Sequence, residues 1–143
     1  MNQQTISNFQ QLYLHLNRDT VSCELLAEVY ADNIQFQDPF HHIQGLQALT
    51  GYFAGLYQNV EHIEFDFGHC WQQDNHTFIR WQMHYRHPRI HRGKTVTVDG
   101  GSELIWQDGR IKQQRDFFDA GQMLYEKLPL LGWLIRKLKE RME

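Results

Sequence analysis

Near Val60 the apolar residues stop recurring every three or four positions and begin to recur every two, and the strand-like spacing then holds to Phe118. Helical patterns lie on one side of that point and a run of strand patterns on the other. Such segregation assigns the chain to the α+β class and excludes a doubly wound parallel sheet, which needs strands and helices in alternation. Ahead of the change, Ile6, Phe9, Tyr13 and Leu16 mark an amphipathic helix, residues 17–20 a polar break, and Ser22 the cap of a short helix carrying Leu25, Leu26 and Val29. Residues 33–38 alternate as a short strand that Pro39 ends, because proline cannot donate to a ladder. Leu46, Leu49, Phe53 and Leu56 form a third helical stripe.

Beyond the change, Ile63, Phe65, Phe67, His69 and Trp71 are expected on one face of a long strand that turns at residues 73–75. The return strand alternates Ile79, Trp81, Met83 and Tyr85 inward with Arg80, Gln82, His84 and Arg86 outward. A loop over 87–93 precedes a third strand at 95–106, and the Asp108-Gly109 turn leads to a fourth at 110–118. The pattern predicts a cone-shaped, curved antiparallel sheet with N-terminal helices packed on its concave face. A small-molecule pocket is expected inside the cone.

A chain of 143 residues fits one domain. Residues 1–119 are read as that domain and 120–143 as an amphipathic helical extension of it. The net charge of −3 argues against nucleic acid as a partner. Cys23 and Cys70 make neither a disulfide framework nor a zinc motif. The first ten residues do not read as a signal peptide and no stretch of 18 residues is apolar, so a cytoplasmic location is expected. In the tail, Leu124, Leu128, Leu131, Ile135, Leu138 and Met142 repeat at helical spacing, with Pro129 expected to split the helix. Five Lys/Arg against three Glu over 120–143 suit peripheral contact with a membrane. The favoured expectation is that the stripe is buried against the domain or a second subunit.

Residues 29–57 hold Tyr30-Ala31-Asp32, Asp38-Pro39, Gly45 and Tyr52-Phe53, and the second half holds Asp108-Gly109-Arg110-Ile111 and Asp116-Phe117-Phe118-Asp119. In this set the chain resembles the nuclear transport factor 2-like superfamily, which includes ketosteroid isomerase, SnoaL-like polyketide cyclases, limonene-epoxide hydrolase and binding modules without activity. The resemblance spans about residues 5–120. It implies a general base at Asp38, hydrogen-bond donors to an oxyanion at Tyr13 and Ser102, and, by likeness to the epoxide hydrolase, a second acid/base at Asp116. It also implies a homodimer through the outer sheet face, where Arg80, Gln82, His84, Arg86, Thr95, Thr97 and Glu103 fall. No cofactor is implied.

Each residue has a plainer reading beside it. Asp38 can cap the loop after Pro39 through its carboxylate, and Asp116 can pair with Arg80, Arg86 or Arg115. Phe36, Phe40, His42, Phe53, Trp81, Trp106, Gln114 and Phe118 are the expected pocket lining, for a ligand that is largely apolar. His41 or His42 can serve as a pocket acid or base. The nine histidines lack the tight, repeated spacing of a zinc site, so no metal is expected. Two functions fit: a cofactor-free isomerase, cyclase, lyase or epoxide hydrolase, or a ligand-binding or protein-interaction module with the same cavity.

Overall fold

The computed structural model describes residues 3–123 and 129–142. Helix α1 (Gln3–His15) buries Ile6, Phe9 and Leu12, with Leu16 just beyond it. Asn17 closes the break that follows, its side-chain oxygen accepting from the Asp19 and Thr20 N–H groups. Ser22 then caps α2 (Cys23–Ala27) by accepting from Leu25 N at 3.1 Å. This satisfies one of the free donors of the first helical turn. Helix α3 (Leu46–Asn59) buries Leu49, Phe53 and Tyr57. The stripe differs from the expected one at its end, where Leu56 is half exposed and Tyr57 turns inward instead.

Six strands form one curved, unclosed sheet in the order β2-β1-β6-β5-β4-β3. Strands β3 (His62–Gln73), β4 (His76–Arg86), β5 (Val96–Gln107) and β6 (Arg110–Phe118) make the antiparallel meander. Its hairpins turn at Asp74 and at Asp108-Gly109, all three with positive φ. Asp and Gly tolerate that region best, which is why those turns are visible in the sequence. Strand β1 begins at Tyr30 and runs to Gln37, and it joins β6 in parallel, the one parallel join of the sheet. Strand β2 (His42–Gln44) pairs with β1 across the Pro39 turn and has no counterpart in the sequence reading.

One face assignment is corrected. A register shift between Phe67 and Cys70 inserts a bulge at Gly68-His69. Beyond it the faces exchange, since side-chain direction alternates with a period of two. Cys70 packs against the core, while Trp71 is 49% exposed and His69 meets it edge to face in the open. A second shift in the β5–β6 ladder lies between Ile105 and Trp106, which pair with Gln113 and Ile111. It allows Ile111, Gln114, Asp116 and Phe118 to share the inner face, although Ile111 and Gln114 differ in parity.

The core has two parts. One packs α1, α2 and α3 on Ile34, Ile79, Leu104 and Ile111, and the other gathers Trp81, Met83, Tyr85, Val96 and Val98. Phe67 and Ile63 touch both. Gly100 makes room for this arrangement, because a Cβ there would lie 2.3 Å from the Trp81 ring and 2.8 Å from the Phe117 carbonyl oxygen. Gly100→Ala is therefore expected to cost about 1–3 kcal/mol, as overpacking does. Chemical denaturation with a shifted Trp emission would show it; an unchanged midpoint would mean that the ring moves aside freely.

Among the described residues the tail holds α4 (Ala120–Met123) and α5 (Pro129–Met142). The break expected beside Pro129 involves residues 124–128, which lie outside the described residues. Leu138 was expected to be covered, yet it is 60% exposed in the single chain, as are much of Leu134 and Met142. Lys139 lies 3.4 Å from Asp119, an ion pair that ties α5 back to the end of the sheet. Leu124 and Leu128, and the side chains of Leu131 and Ile135, lie outside the described residues.

Candidate functional site

The inner face of β5 and β6 meets α1, β1 and α3 at the seam between the two core clusters. Ser102 and Asp116 stand directly opposite each other there. Cross-strand partners are close enough for their side chains to bond, and Ser102 Oγ donates to Asp116 Oδ1 at 2.6 Å. Trp81 Nε1 donates to Ser102 Oγ at 2.9 Å, which orients the hydroxyl. Gln114, two residues before Asp116 on the same face, donates from Nε2 to the same Oδ1 at 2.9 Å. The Gln114 carbonyl oxygen accepts from Tyr30 at 2.6 Å, and Tyr30 lies 2.8 Å from Tyr13. Side chains from α1, β1, β4, β5 and β6 thus join one network, in which Ser102 and Gln114 bond the carboxyl directly.

Oδ2 of Asp116 has no hydrogen-bond partner among the described residues. No fully shielded side-chain oxygen is unpaired there either, so this atom borders accessible space. Arg80 and Arg86 lie exposed on the outer face and Arg115 sits over the Phe117 ring, so none of the three neutralises Asp116. Burial pushes its pKa up from 3.8 to about 6, against the lowering by Ser102 and Gln114; the nearby Asp38 raises it further. Desolvation also raises the Tyr13 and Tyr30 hydroxyls well above their usual range, so both stay protonated.

Asp38 is built differently. Its Oδ1 accepts from the Phe40 and His41 N–H groups at 2.8 and 2.7 Å, the geometry of an Asx turn. Its Oδ2 accepts from Tyr52 at 2.5 Å. His41 Nδ1 lies 3.6 Å from Oδ1, and its ring packs on Tyr52. Tyr52 and His41 belong to this cluster, and the sequence marked Tyr52 only as part of an aromatic pair. Tyr30 was likewise visible only as one letter of Tyr30-Ala31-Asp32.

The expected lining divides. Phe36 and Phe53 are buried and meet edge to face beside Tyr52. Phe118 joins Phe40 at the rim to Trp81 inside, with centroids 6.0 and 6.3 Å away. Gln114 is buried within the network. His42 is exposed: Ile43 packs inward on β2, so its neighbour must face out, and His41 is the histidine at the site. Trp106 lies four residues along β5 from Ser102, roughly 13 Å at strand rise. It is a core residue whose Nε1 is bonded to Thr77. Among the described residues no group of three or more His, Cys, Asp or Glu could hold a metal ion.

A curved, unclosed sheet with N-terminal helices packed on its concave side is the nuclear transport factor 2-like architecture. Solved structures agree on the fold. A protein with a ketosteroid isomerase-like fold from Catenulispora acidiphila, in complex with trimethylamine, superposes with TM-score 0.73 at 11% identity, over 89% of this chain and 93% of its own. A proposed SnoaL-like polyketide cyclase from Jannaschia sp. CCS1 gives 0.69 at 12% identity, over 81% and 85%. TerC, co-crystallised with polyporic acid, gives 0.66 at 15% identity, over 80% and 91%. Among curated proteins no sequence match is found. The SnoaL-like domain family matches residues 9–114, and the chain belongs to that family.

Proposed function

We propose that this SnoaL-like protein binds a small, largely apolar molecule on the concave side of its sheet and moves a proton on it through Asp116, without a cofactor. The observation that carries this reading is the asymmetry of the Asp116 carboxyl. One oxygen is fixed by Ser102 and Gln114, and the other has no partner among the described residues and borders accessible space. A group that titrates at about 6 exchanges its proton readily near neutrality. The surrounding Phe36, Phe53, Phe65, Trp81 and Phe118 suit an apolar ligand, and two carboxylates with no nearby Lys or Arg among the described ion pairs disfavour an anionic one. The simplest chemistry is transfer of a C–H proton next to a carbonyl to Asp116 Oδ2. The bonding pair passes to the carbonyl oxygen, and the proton is returned at another atom.

Tyr13 and Ser102 act here as supports for Asp116, since both hydroxyl hydrogens are committed within the protein. That commitment also favours a second reading, ligand binding without turnover, because no free oxyanion donor remains among these residues. The two part company in heavy water. Small cyclic and acyl carbonyl compounds that bind by ligand-observed NMR are incubated with the protein and followed for deuterium uptake. Uptake supports the enzyme; binding without uptake across the panel supports the module. The outer face, with exposed Arg80, Gln82, Thr97 and Glu103 beside the half-exposed Trp71 and Phe117, is our proposed homodimer contact. A dimer mass by light scattering at tens of micromolar is expected, and a monomer mass would discard that contact.

A further inference from the structure

Nothing about the Asp116–Gln114 bond obliges the amide to present its nitrogen. A side-chain amide has a donor end and an acceptor end of nearly equal shape, and turning it over would set a carbonyl oxygen against the carboxylate. We propose that Tyr30 is a positioning residue for this site: its hydroxyl holds the Gln114 amide in the orientation that turns an N–H, and not the carbonyl, toward Asp116. The proposal rests on the acid–base reading above, and extends it to a residue that touches no ligand.

The geometry is a closed ring. Tyr30 donates to Gln114 Oε1 at 2.6 Å, so its oxygen is left to accept from Tyr13 at 2.8 Å. Gln114 Nε2 then has two acceptors, Asp116 Oδ1 at 2.9 Å and the Tyr13 oxygen at 3.3 Å. Tyr30 and Gln114 are almost wholly buried, at 1% and 2% exposure, so water does not substitute for a lost partner. Without the Tyr30 hydroxyl, Oε1 has no donor and Tyr13 has no acceptor. The amide regains a bond by turning Oε1 toward the released Tyr13 hydroxyl, which draws Nε2 away from Asp116. Without the Tyr13 hydroxyl, by contrast, Tyr30 still donates to Oε1 and the orientation stands. The two tyrosines are therefore not equivalent, although they are neighbours.

The other groups acting on this carboxyl are few. From the segment after β1 comes Asp38, from α3 Tyr52, from β5 Ser102, and from α1 and β1 the two tyrosines themselves. None of them changes identity in the variants below except the one replaced.

The test reads the Asp116 carboxyl directly by carbon-13 NMR across pH, its signal assigned by its loss in Asp116→Asn. Gln114→Met is expected to raise the titration midpoint by about one pH unit, the scale of one lost bond to a charged group. Tyr30→Phe is expected to raise it by at least about half as much, and Tyr13→Phe to leave it within about 0.3 unit. A Tyr30→Phe midpoint equal to that of the unaltered protein overturns the proposal, as does an equal shift from Tyr13→Phe. Should Tyr30→Phe not fold, the unaltered protein still decides. The Gln114 side-chain NH₂ signals must move with the Asp116 titration, and silence there overturns the proposal. An unaltered midpoint near 4 with the variants still shifting in this order would uphold Tyr30 and remove the support for Asp116 as the acid or base.

Discussion

Asp116→Asn is expected to slow deuterium uptake on any accepted substrate by about 10²–10⁴-fold, the usual weight of a general acid or base. Ligand affinity should change little, because the asparagine oxygen still accepts from Ser102 and Gln114 and only the reacting oxygen is replaced. The same substitution has a second signature, in stability. Asp116 has its folded pKa raised to about 6 from an ordinary 3.8, so the folded chain holds the proton more tightly than the unfolded one. The associated stability is full below about pH 4 and is lost as pH rises through 6. With each unit equivalent to 1.36 kcal/mol, the loss approaches about 3 kcal/mol. Asparagine does not titrate, so the variant should be the more stable protein at pH 7 and should lack this slope. Active sites commonly trade stability for function in this way. Denaturation midpoints at pH 4, 5, 6 and 7 for both proteins measure it. Parallel pH curves would show that Asp116 is not held in a desolvated position, and unchanged uptake would pass the proton-transfer role to Asp38.

What was legible in the sequence follows a physical line. The period change at Val60, the Ser22 cap and the Asp108-Gly109 turn are local: each is set by the φ/ψ or bonding preference of a few adjacent residues, and each is found as expected. The bulge at Gly68-His69 is not local. It depends on how β3 wraps the curved sheet, and the only trace in sequence is one glycine in a strand. The parallel join of β1 to β6 is equally silent, because alternation says which face is buried and not which neighbour is paired. The site shows the same division. Asp38 and Asp116 could both be picked out as carboxylates in a motif. Which of them is solvated by the protein, and which is left partly bare, depends on donors brought from Phe40, Tyr52, Ser102 and Gln114 by the folded backbone. Tyr30 and Tyr52 were marked only as letters of a motif, because a buried tyrosine looks the same in sequence whether or not its hydroxyl has a task.

That contrast gives the last prediction, on Asp38. Its two oxygens accept three hydrogen bonds, two from backbone N–H groups of the turn and one from Tyr52, and the residue is 8% exposed. Asp38→Ala removes every acceptor at once and leaves those donors short of partners in a place that water reaches poorly. Loss of a buried, hydrogen-bonded charge should cost about 2–4 kcal/mol, more than any single bond in the network. Asp38→Asn should cost far less. Its oxygen can keep the turn, and the Tyr52 hydroxyl can rotate to accept from the new amide. The pair of variants therefore separates support from chemistry. If Asp38 is mainly the clamp of the loop that carries Phe40 and His41, Asp38→Asn retains most of the deuterium uptake while Asp38→Ala loses stability and, with the loop, its ligand. If Asp38 is itself the base, Asp38→Asn abolishes uptake at nearly full stability and Asp116→Asn does not. Thermal midpoints and uptake rates on the three variants, measured on one substrate, leave no overlap between these outcomes.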